Sequence, residues 1–426
     1  MTTLARPAGV SLRSLRVERR YVAAATFVLF GLVDILGFGL YAKHGHATFA
    51  FSQEFAKVTV PNLSLPAAET AYACGALSIV IGVLRAALPM GKAARRVSIG
   101  VVLFTFIVAL LCWAEAGQSF PLSITNLLEG TLASSIPLIL GALAGAMCER
   151  SGVINIAIEG QLLFGAFTAA VAASFFGFLW LGLILGSLAG ALLGSLLAVF
   201  AIRYLVDQVV LGVVLNVFAA GLTGFLYDRA LVPYQNTLNS PATYLPLKIP
   251  LLGDIPIIGP VFFDSTIFLY ITYVALILVQ VALFSTRWGL RVRAVGEHPM
   301  AADTVGIRVL GTRYAAVIMG GLIAGIGGAY LTIGSSGNFA PNISSGYGYI
   351  ALAALIFGRW TPFGALAAAL LFGFTTELAS VLSTVNVPIP SNILLMAPYV
   401  ATIIAVAGLV GRVRAPAADG QPYIKA

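Results

Sequence analysis

Charge is scarce in this chain. Only 9% of its 426 residues are Asp, Glu, Lys or Arg, against 59% hydrophobic, where a soluble domain carries roughly 25% charged residues. So few polar side chains cannot cover a water-exposed surface of this size, and lipid is the solvent that remains. The three histidines, His44, His46 and His298, form no HExxH pair and no metal cluster. Cys74, Cys112 and Cys148 sit in or beside apolar runs, share no ligand spacing and build no disulfide framework. No metal and no cofactor are expected. A G-x-S-x-G nucleophile turn is missing. A phosphate loop is missing too: Gly91-Lys92 is followed by Ala93, and Ala86 stands where the first glycine belongs. These gaps argue against an enzyme and against a chain that carries its own ATP motor.

What the chain has is long apolar runs. Twelve stand out: 21–41, 67–88, 97–115, 131–148, 156–176, 179–201, 208–227, 266–284, 314–333, 345–358, 363–384 and 391–410. The expected fold is all-α, a polytopic transmembrane bundle of about 10–12 spans. The run 345–358 is too short to cross a hydrocarbon core of about 30 Å as a helix, so it reads as re-entrant or as half of a broken helix. The first run lacks a convincing cleavage site and reads as a retained helix, not a signal peptide. The net charge of +8 need not mean nucleic acid. With the N-terminus in the cytoplasm and the spans alternating, 20 of the 24 Lys and Arg fall inside, leaving Lys43, Lys57, Arg229 and Lys248 outside. That bias is what the positive-inside rule demands. It predicts a multi-pass protein with both termini cytoplasmic.

The spans divide into four stretches. A basic arm, 1–20, precedes an N-terminal membrane block, 21–119; a core, 120–410, and a tail, 411–426, follow. The external loop 228–265 holds Pro233, Pro241, Pro246, Pro250, Pro256 and Pro260 and reads as packed, not disordered. Glycines recur at helix-packing spacing in Gly182/Gly186, Gly190/Gly194 and Gly321/Gly325. A weak echo between Ile156–Gly165 and Ile350–Gly358 suggests internal duplication.

Three stretches carry polar chemistry. In Glu149–Gln161, the side chains of Asn155, Glu159 and Gln161 lie at or near membrane depth. A carboxylate there costs several kcal/mol unless paired or hydrated, so Glu159 either lines a solute path or braces neighbouring helices. Asp207 suits a helix N-cap, and Asn216, two to three turns inside a span, is the better pathway candidate. In 286–307, Pro299 fits the first helical position and Gly306 the residue past the end. Between them lies a two-turn helix whose expected exposed face includes Ala301 and Ala302, small enough to enter a groove on a partner.

Together ERSGVINIAIEG, DQVVLGVVLN, RAVGEHPMAADTVGI, IALAALIFGRWTPFGALAAALLFGF and LMAPYVATIIAVAGLVG, in that order over residues 120–426, resemble the permeases of bacterial nucleoside and simple-sugar ABC importers, within the branched-chain amino acid and ribose permease superfamily. The resemblance implies a bacterial cytoplasmic (inner) membrane protein. It implies a related permease or a second copy as neighbour, two ATP-binding subunits below and an extracytoplasmic solute-binding protein outside. It assigns ATPase coupling to the segment holding Glu297, Pro299, Ala301, Ala302, Asp303 and Gly306. The nucleoside branch is favoured, with a simple sugar second. The helices of 21–115 lie outside the motifs.

Two other classes compete. An ion-coupled secondary transporter would relay protons or sodium through Asp34, Glu159 and Glu377, but needs no docking loop such as 285–313. A membrane enzyme would need clustered His, Asp or Cys at one face. Because the phosphate loop is missing, the purified chain is expected to hydrolyse no ATP until an ATP-binding partner is added. Phosphate release by a rigorously clean preparation of the chain alone would contradict this.

Overall fold

The computed structural model describes residues 12–42, 45–53, 58–385, 387, 389–404 and 414–425. The architecture is a helical bundle with only short strands. Ten helical segments among the described residues are long and apolar enough to cross a membrane. Hydrocarbon offers no water to unpaired N–H and C=O groups, so a chain this apolar closes its hydrogen bonds within helices. Contacts divide the chain into two compact units, Met1–Thr125 with Leu382–Pro388, and Asn126–Val381 with Ile389–Ala426.

In the first unit, α1 (Leu12–Leu32) continues into a π-helical turn, Val33–Gly39. Strands β1 (His46–Ala50) and β2 (Leu63–Pro66) follow, then α2 (Ala67–Ala87), α3 (Lys92–Glu115) and β3 (Leu122–Ser123). The strands form a three-stranded sheet in the order β2-β1-β3, antiparallel then parallel. Helices α1 and α2 meet at Gly31 and Gly75: a Cβ on Gly31 would stand 2.5 Å from the Gly75 carbonyl oxygen. Ser78 and Thr105 share a buried hydrogen bond of 3.0 Å between α2 and α3. Asp34 is fully buried in the π-helical turn, and neither carboxylate oxygen has a hydrogen-bond partner.

The second unit holds most of the bundle. It contains α4 (Ile124–Glu149, entering from the first unit), α5 (Ile158–Phe176), α6 (Leu179–Ala198, then π-helical to Arg203) and α7 (Gln208–Leu226, then π-helical to Leu231). The stretch expected as a packed loop carries α8 (Gln235–Leu238), α9 (Ile258–Phe263) and a hairpin of β4 (Leu247–Lys248) with β5 (Asp264–Ser265). It is packed: buried Asn239 exchanges hydrogen bonds with the Phe339 backbone, and the Tyr244 N–H donates to the Ile333 carbonyl. Then come α10 (Ile267–Ser285), α11 (Arg287–Glu297), α12 (Pro299–Thr304), α13 (Val309–Ala329, then π-helical to Ser336), α14 (Tyr347–Phe357), α15 (Pro362–Thr384), α16 (Ser391–Leu395) and α17 (Ala397–Ile404).

Helices α6 and α13 approach closely because both interfaces are glycine. A Cβ on Gly325 would stand 2.5 Å from the Gly186 carbonyl oxygen, and one on Gly190 only 2.6 Å from the Gly325 Cα. Ser187 adds a 2.9 Å hydrogen bond to the Leu322 carbonyl across this seam. Helix α5 joins the same contact through Gly165, where a Cβ would meet the Gly325 carbonyl at 2.6 Å. Of the glycines expected to pack helices, Gly186, Gly190, Gly194, Gly321 and Gly325 lie in this seam, while Gly182 packs on Ala169 and Ala173 of α5.

Helix α14 has 11 residues, about 16 Å at 1.5 Å per residue, half of what a crossing needs. It matches the short run 345–358. The last run, 391–410, appears as α16 and α17 up to Ile404, and 405–410 lie outside the described residues, as do Lys43, His44 and Lys57. One expectation about 285–313 is corrected. Ala302 does not face outward: it is 3% exposed and packs with Val295, Val309 and Tyr423. A two-turn helix resting on α11 must turn one side inward, and Ala302 is on that side.

Because the α6–α13 seam is backbone against backbone, Gly325→Leu is expected to cost about 3 kcal/mol. The fall should appear as a lower thermal midpoint of the detergent-purified protein. Gly221→Leu, where a Cβ meets open space, is the control that should leave the midpoint in place.

Candidate functional site

The polar residues singled out from sequence gather where α5 and α14 both begin inside the bundle. Helix α4 ends at Glu149, and 150–157 runs as turn and irregular chain before α5 starts. Helix α14 starts after another irregular stretch, 337–346, with Gly346 at φ +83° as its N-cap. A helix that starts inside the bundle leaves its first N–H groups without partners. Glu159 supplies them. Its Oε1 accepts from the Ser344 hydroxyl at 2.6 Å and the Gly346 N–H at 2.8 Å, and its Oε2 accepts from the Gly348 N–H at 2.6 Å. A carboxylate at a helix N-terminus also suits the macrodipole. The approach requires glycine at 348, because a Cβ there would stand 2.5 Å from the Glu159 Cα.

Asn155 and Gln161 are both fully buried, and the Asn155 amide donates to Gln161 Oε1 at 3.1 Å and to the Cys148 sulfur at 3.4 Å. Neither side chain is open to a solute in this conformation. Asn216 is placed differently. Its Oδ1 accepts from the Gly160 N–H at 2.8 Å; its amide donates to the Ile156 carbonyl at 2.9 Å and to the Tyr349 hydroxyl at 3.2 Å. Tyr349 is 48% exposed. Tyr399 stands close by, its hydroxyl donating to the Ser345 carbonyl at 2.9 Å. Ser344, Gly346, Gly348, Tyr349 and Tyr399 join the site without being among the residues expected from sequence. Their signal was there: a Ser-Ser-Gly-Tyr-Gly run just before an apolar stretch too short to span.

The N-cap assigned to Asp207 is present, its carboxylate accepting from the Val210 N–H at 2.9 Å. Glu377 hydrogen-bonds Ser134.

One end of this unit is basic. The turn after α4 meets the turn after α14, where Arg150 Nε donates to the Trp360 carbonyl at 2.9 Å and the Trp360 indole donates to Glu149. Burial pulls the Arg150 guanidinium down, with Glu297 opposing and Arg293 reinforcing the shift. The segment 297–307 lies at this end. His298 caps α12 by accepting from the Ala301 N–H at 3.2 Å, Pro299 takes the first turn and Gly306 ends it at φ +83°. Ala301 is exposed, Asp303 is partly buried, and Glu297 accepts from the Ala417 N–H at 3.2 Å. A groove of about 780 Å³ flanks the segment, lined by Arg287, Arg291 and Arg308 among others. Helix α11 was not anticipated; Gly289 and Gly296 masked it. Both press on neighbouring backbone, Gly289 against Leu283 and Gly296 against Arg150.

Glu159→Gln keeps the shape but turns one acceptor into a donor facing N–H or O–H groups. An unmet buried donor costs about 1–3 kcal/mol, so this variant should unfold at lower temperature. Glu159→Asp should be milder. A Gln variant with an unchanged thermal midpoint would mean that the carboxylate does not hold the start of α14.

A family model described as the permease component of the branched-chain amino acid transport system matches residues 127–410. The chain is 44% identical over 308 residues to the guanosine ABC transporter permease protein NupQ of Bacillus subtilis, covering 70% of this chain and 96% of that one. It is 42% identical over 300 residues to the nucleoside ABC transporter permease protein NupC of Lactococcus lactis subsp. cremoris, covering 68% and 94%. It is 33% identical over 253 residues to the putative glucose ABC transporter permease protein TsgC13 of Haloferax volcanii, covering 59% and 76%. No solved structure matches. The matches and the ten apolar helices among the described residues agree, and the chain belongs to the branched-chain amino acid transport system permease family, as a multi-pass permease component of an ABC transporter.

Proposed function

We propose that this permease forms part of the path by which an ATP-driven importer carries nucleosides across a bacterial cytoplasmic membrane. The observation that carries the reading is Tyr349: a half-exposed ring whose hydroxyl is fixed by Asn216, on the first turn of a helix that Glu159 holds open. Tyr399 offers a second exposed ring beside it. Aromatic faces stack nucleobases, worth about 1–3 kcal/mol per base, and amides and hydroxyls suit a ribose. In this reading Asn216 and Tyr349 meet the solute, while Asn155, Glu159 and Gln161 set the geometry behind them. The two nucleoside-type relatives, at 44% and 42% identity, support this solute over the glucose-type relative at 33%.

The basic end faces the cytoplasm, as the positive-inside rule favours, which puts both termini inside. Helix α12 there enters a groove on an ATP-binding subunit, with Ala301 outward and Glu297, Pro299, Asp303 and Gly306 shaping the segment. A second permease, related or identical, completes the path, and an extracytoplasmic solute-binding protein delivers to the other end. The family is one of transporters, not of enzymes.

Two substitutions separate path from docking. In proteoliposomes holding the whole complex, Tyr349→Ala should lower [³H]guanosine uptake about tenfold, the loss of one stacking contact, while the ATP-binding subunit still co-purifies. Ala301→Arg should abolish co-purification, because an unpaired charge forced into an interface costs several kcal/mol. Uptake of labelled glucose in place of guanosine would overturn the solute assignment. Full capture by Ala301→Arg would overturn the docking assignment.

A further inference from the structure

The segment Arg414–Lys425 is not used by any part of the transport reading above, yet it is tied to four elements at the basic end. The Ala418 N–H donates to the Gly296 carbonyl at 2.9 Å, and the Ala417 N–H to the Glu297 carboxylate at 3.2 Å, fixing it to α11. Its Gln421 carbonyl accepts from Arg313 Nη1 of α13 at 3.0 Å. Tyr423 is 7% exposed, buried among Val295, Ala302 and Val309, and its hydroxyl hydrogen-bonds Asp303 of α12. The segment also presses on the turn after α4. Gly420, at φ +74°, sits where a Cβ would stand 2.6 Å from Ile154 Cδ1, and a Cβ on Gly152 would stand 3.0 Å from the Ala418 carbonyl oxygen.

Arg313 marks how much depends on this contact. It is 1% exposed, its Nε and Nη2 have no hydrogen-bond partner, and the Gln421 carbonyl holds its one bonded nitrogen. Asp419 crosses beside it with Oδ1 buried and unbonded. A buried guanidinium stripped of its remaining bond is strongly destabilised.

We infer that Arg414–Lys425 is a strap that makes α12 and the turn 150–157 move as one body, so that motion imposed on α12 reaches the polar network at the start of α5. The inference rests on the docking role proposed for α12. That helix has six residues, far below the length at which a helix holds itself. Ala302 is its one buried residue, and Tyr423 is part of what buries it. Without the strap, displacement of α12 is absorbed by hinging at His298 and Gly306. With it, displacement passes through Tyr423 and Ala418 to Gly152 and Ile154. From there it reaches Asn155, which hydrogen-bonds Gln161 of α5. Tyr423 is therefore a positioning residue: it acts on transport through α12.

The test uses the complete complex in proteoliposomes and measures [³H]guanosine taken up per ATP hydrolysed. In Tyr423→Ala this ratio should fall about tenfold while hydrolysis stays within about twofold of wild type, since the site couplings at stake are of that size. Tyr423→Phe keeps the ring in its cluster and should restore the ratio to within about twofold. Ala417→Pro removes one exposed N–H bond to Glu297 and should lower the ratio in the same direction, which keeps the test alive if Tyr423→Ala does not accumulate. A wild-type ratio in Ala417→Pro and in whichever Tyr423→Ala complex can be made would overturn the strap. So would uptake and hydrolysis falling together with loss of the ATP-binding subunit, since that is a docking or folding defect. Ala301→Arg retaining the subunit would instead sink the docking role of α12, an outcome separate from the ratio.

Discussion

The bond between Glu159 and the start of α14 is the constraint on which the rest of this core depends. A helix that begins inside the bundle, away from water, exposes unpaired N–H groups, and burying such a group without a partner costs several kcal/mol. Glu159 meets that demand with both oxygens. The cost of burying the carboxylate is offset by three donors and by the helix dipole. Remove the acid and the short helix has no reason to start where it does. Remove the short helix and the acid has no partner. The Tyr349 ring stands where it does only because both are present.

Such a junction needs a stiff frame, and the glycine seam supplies one. Gly186, Gly190, Gly321 and Gly325 bring α6 and α13 to backbone contact, and Gly165 brings α5 into the same seam. Without a hydrophobic driving force between helices in lipid, close packing of this kind is a main source of association. Helix α5, which carries Glu159, is thereby locked along its length, whereas α14 is short and held at its start by side-chain bonds. Rigidity and adjustability lie side by side in this arrangement.

Much of this was legible in the sequence because membrane physics is blunt. Apolar run length announced the spans, and the same measure exposed 345–358 as too short. Pro299 and Gly306 framed α12, and Asp207 announced an N-cap. What escaped was pairing at a distance. Nothing local to Glu159 says that its partners lie at 344–348, nor does anything local to Asn155 point to Gln161 rather than to solute. Ala302 was misread for a related reason: alanine is neutral as to inside and outside, and its inward face is decided by Tyr423, far along the chain. Helix α11 was hidden because its glycines, poor helix formers in water, are required there by close backbone neighbours.

The charge inventory of the core bears on what can pass through it. Among the described residues of the second unit, five buried or partly buried charged side chains each have at least one internal partner. Glu159 serves the start of α14, Glu149 takes the Trp360 indole, Glu377 bonds Ser134, Glu129 has a partner, and Arg313 holds the Gln421 carbonyl. Freeing any of them to bind a charged solute or relay an ion means breaking a buried bond, and an unpaired charge in hydrocarbon is expensive. This weighs against Glu159 and Glu377 as steps of the ion-coupled alternative; its third candidate, Asp34 of the first unit, is buried with both carboxylate oxygens unbonded. On the function proposed above, the groups that meet a solute are neutral: the Asn216 amide, already orienting Tyr349, and the exposed rings of Tyr349 and Tyr399. Neutral donors, acceptors and aromatic faces recognise an uncharged polar molecule with a flat ring, and a nucleoside is one.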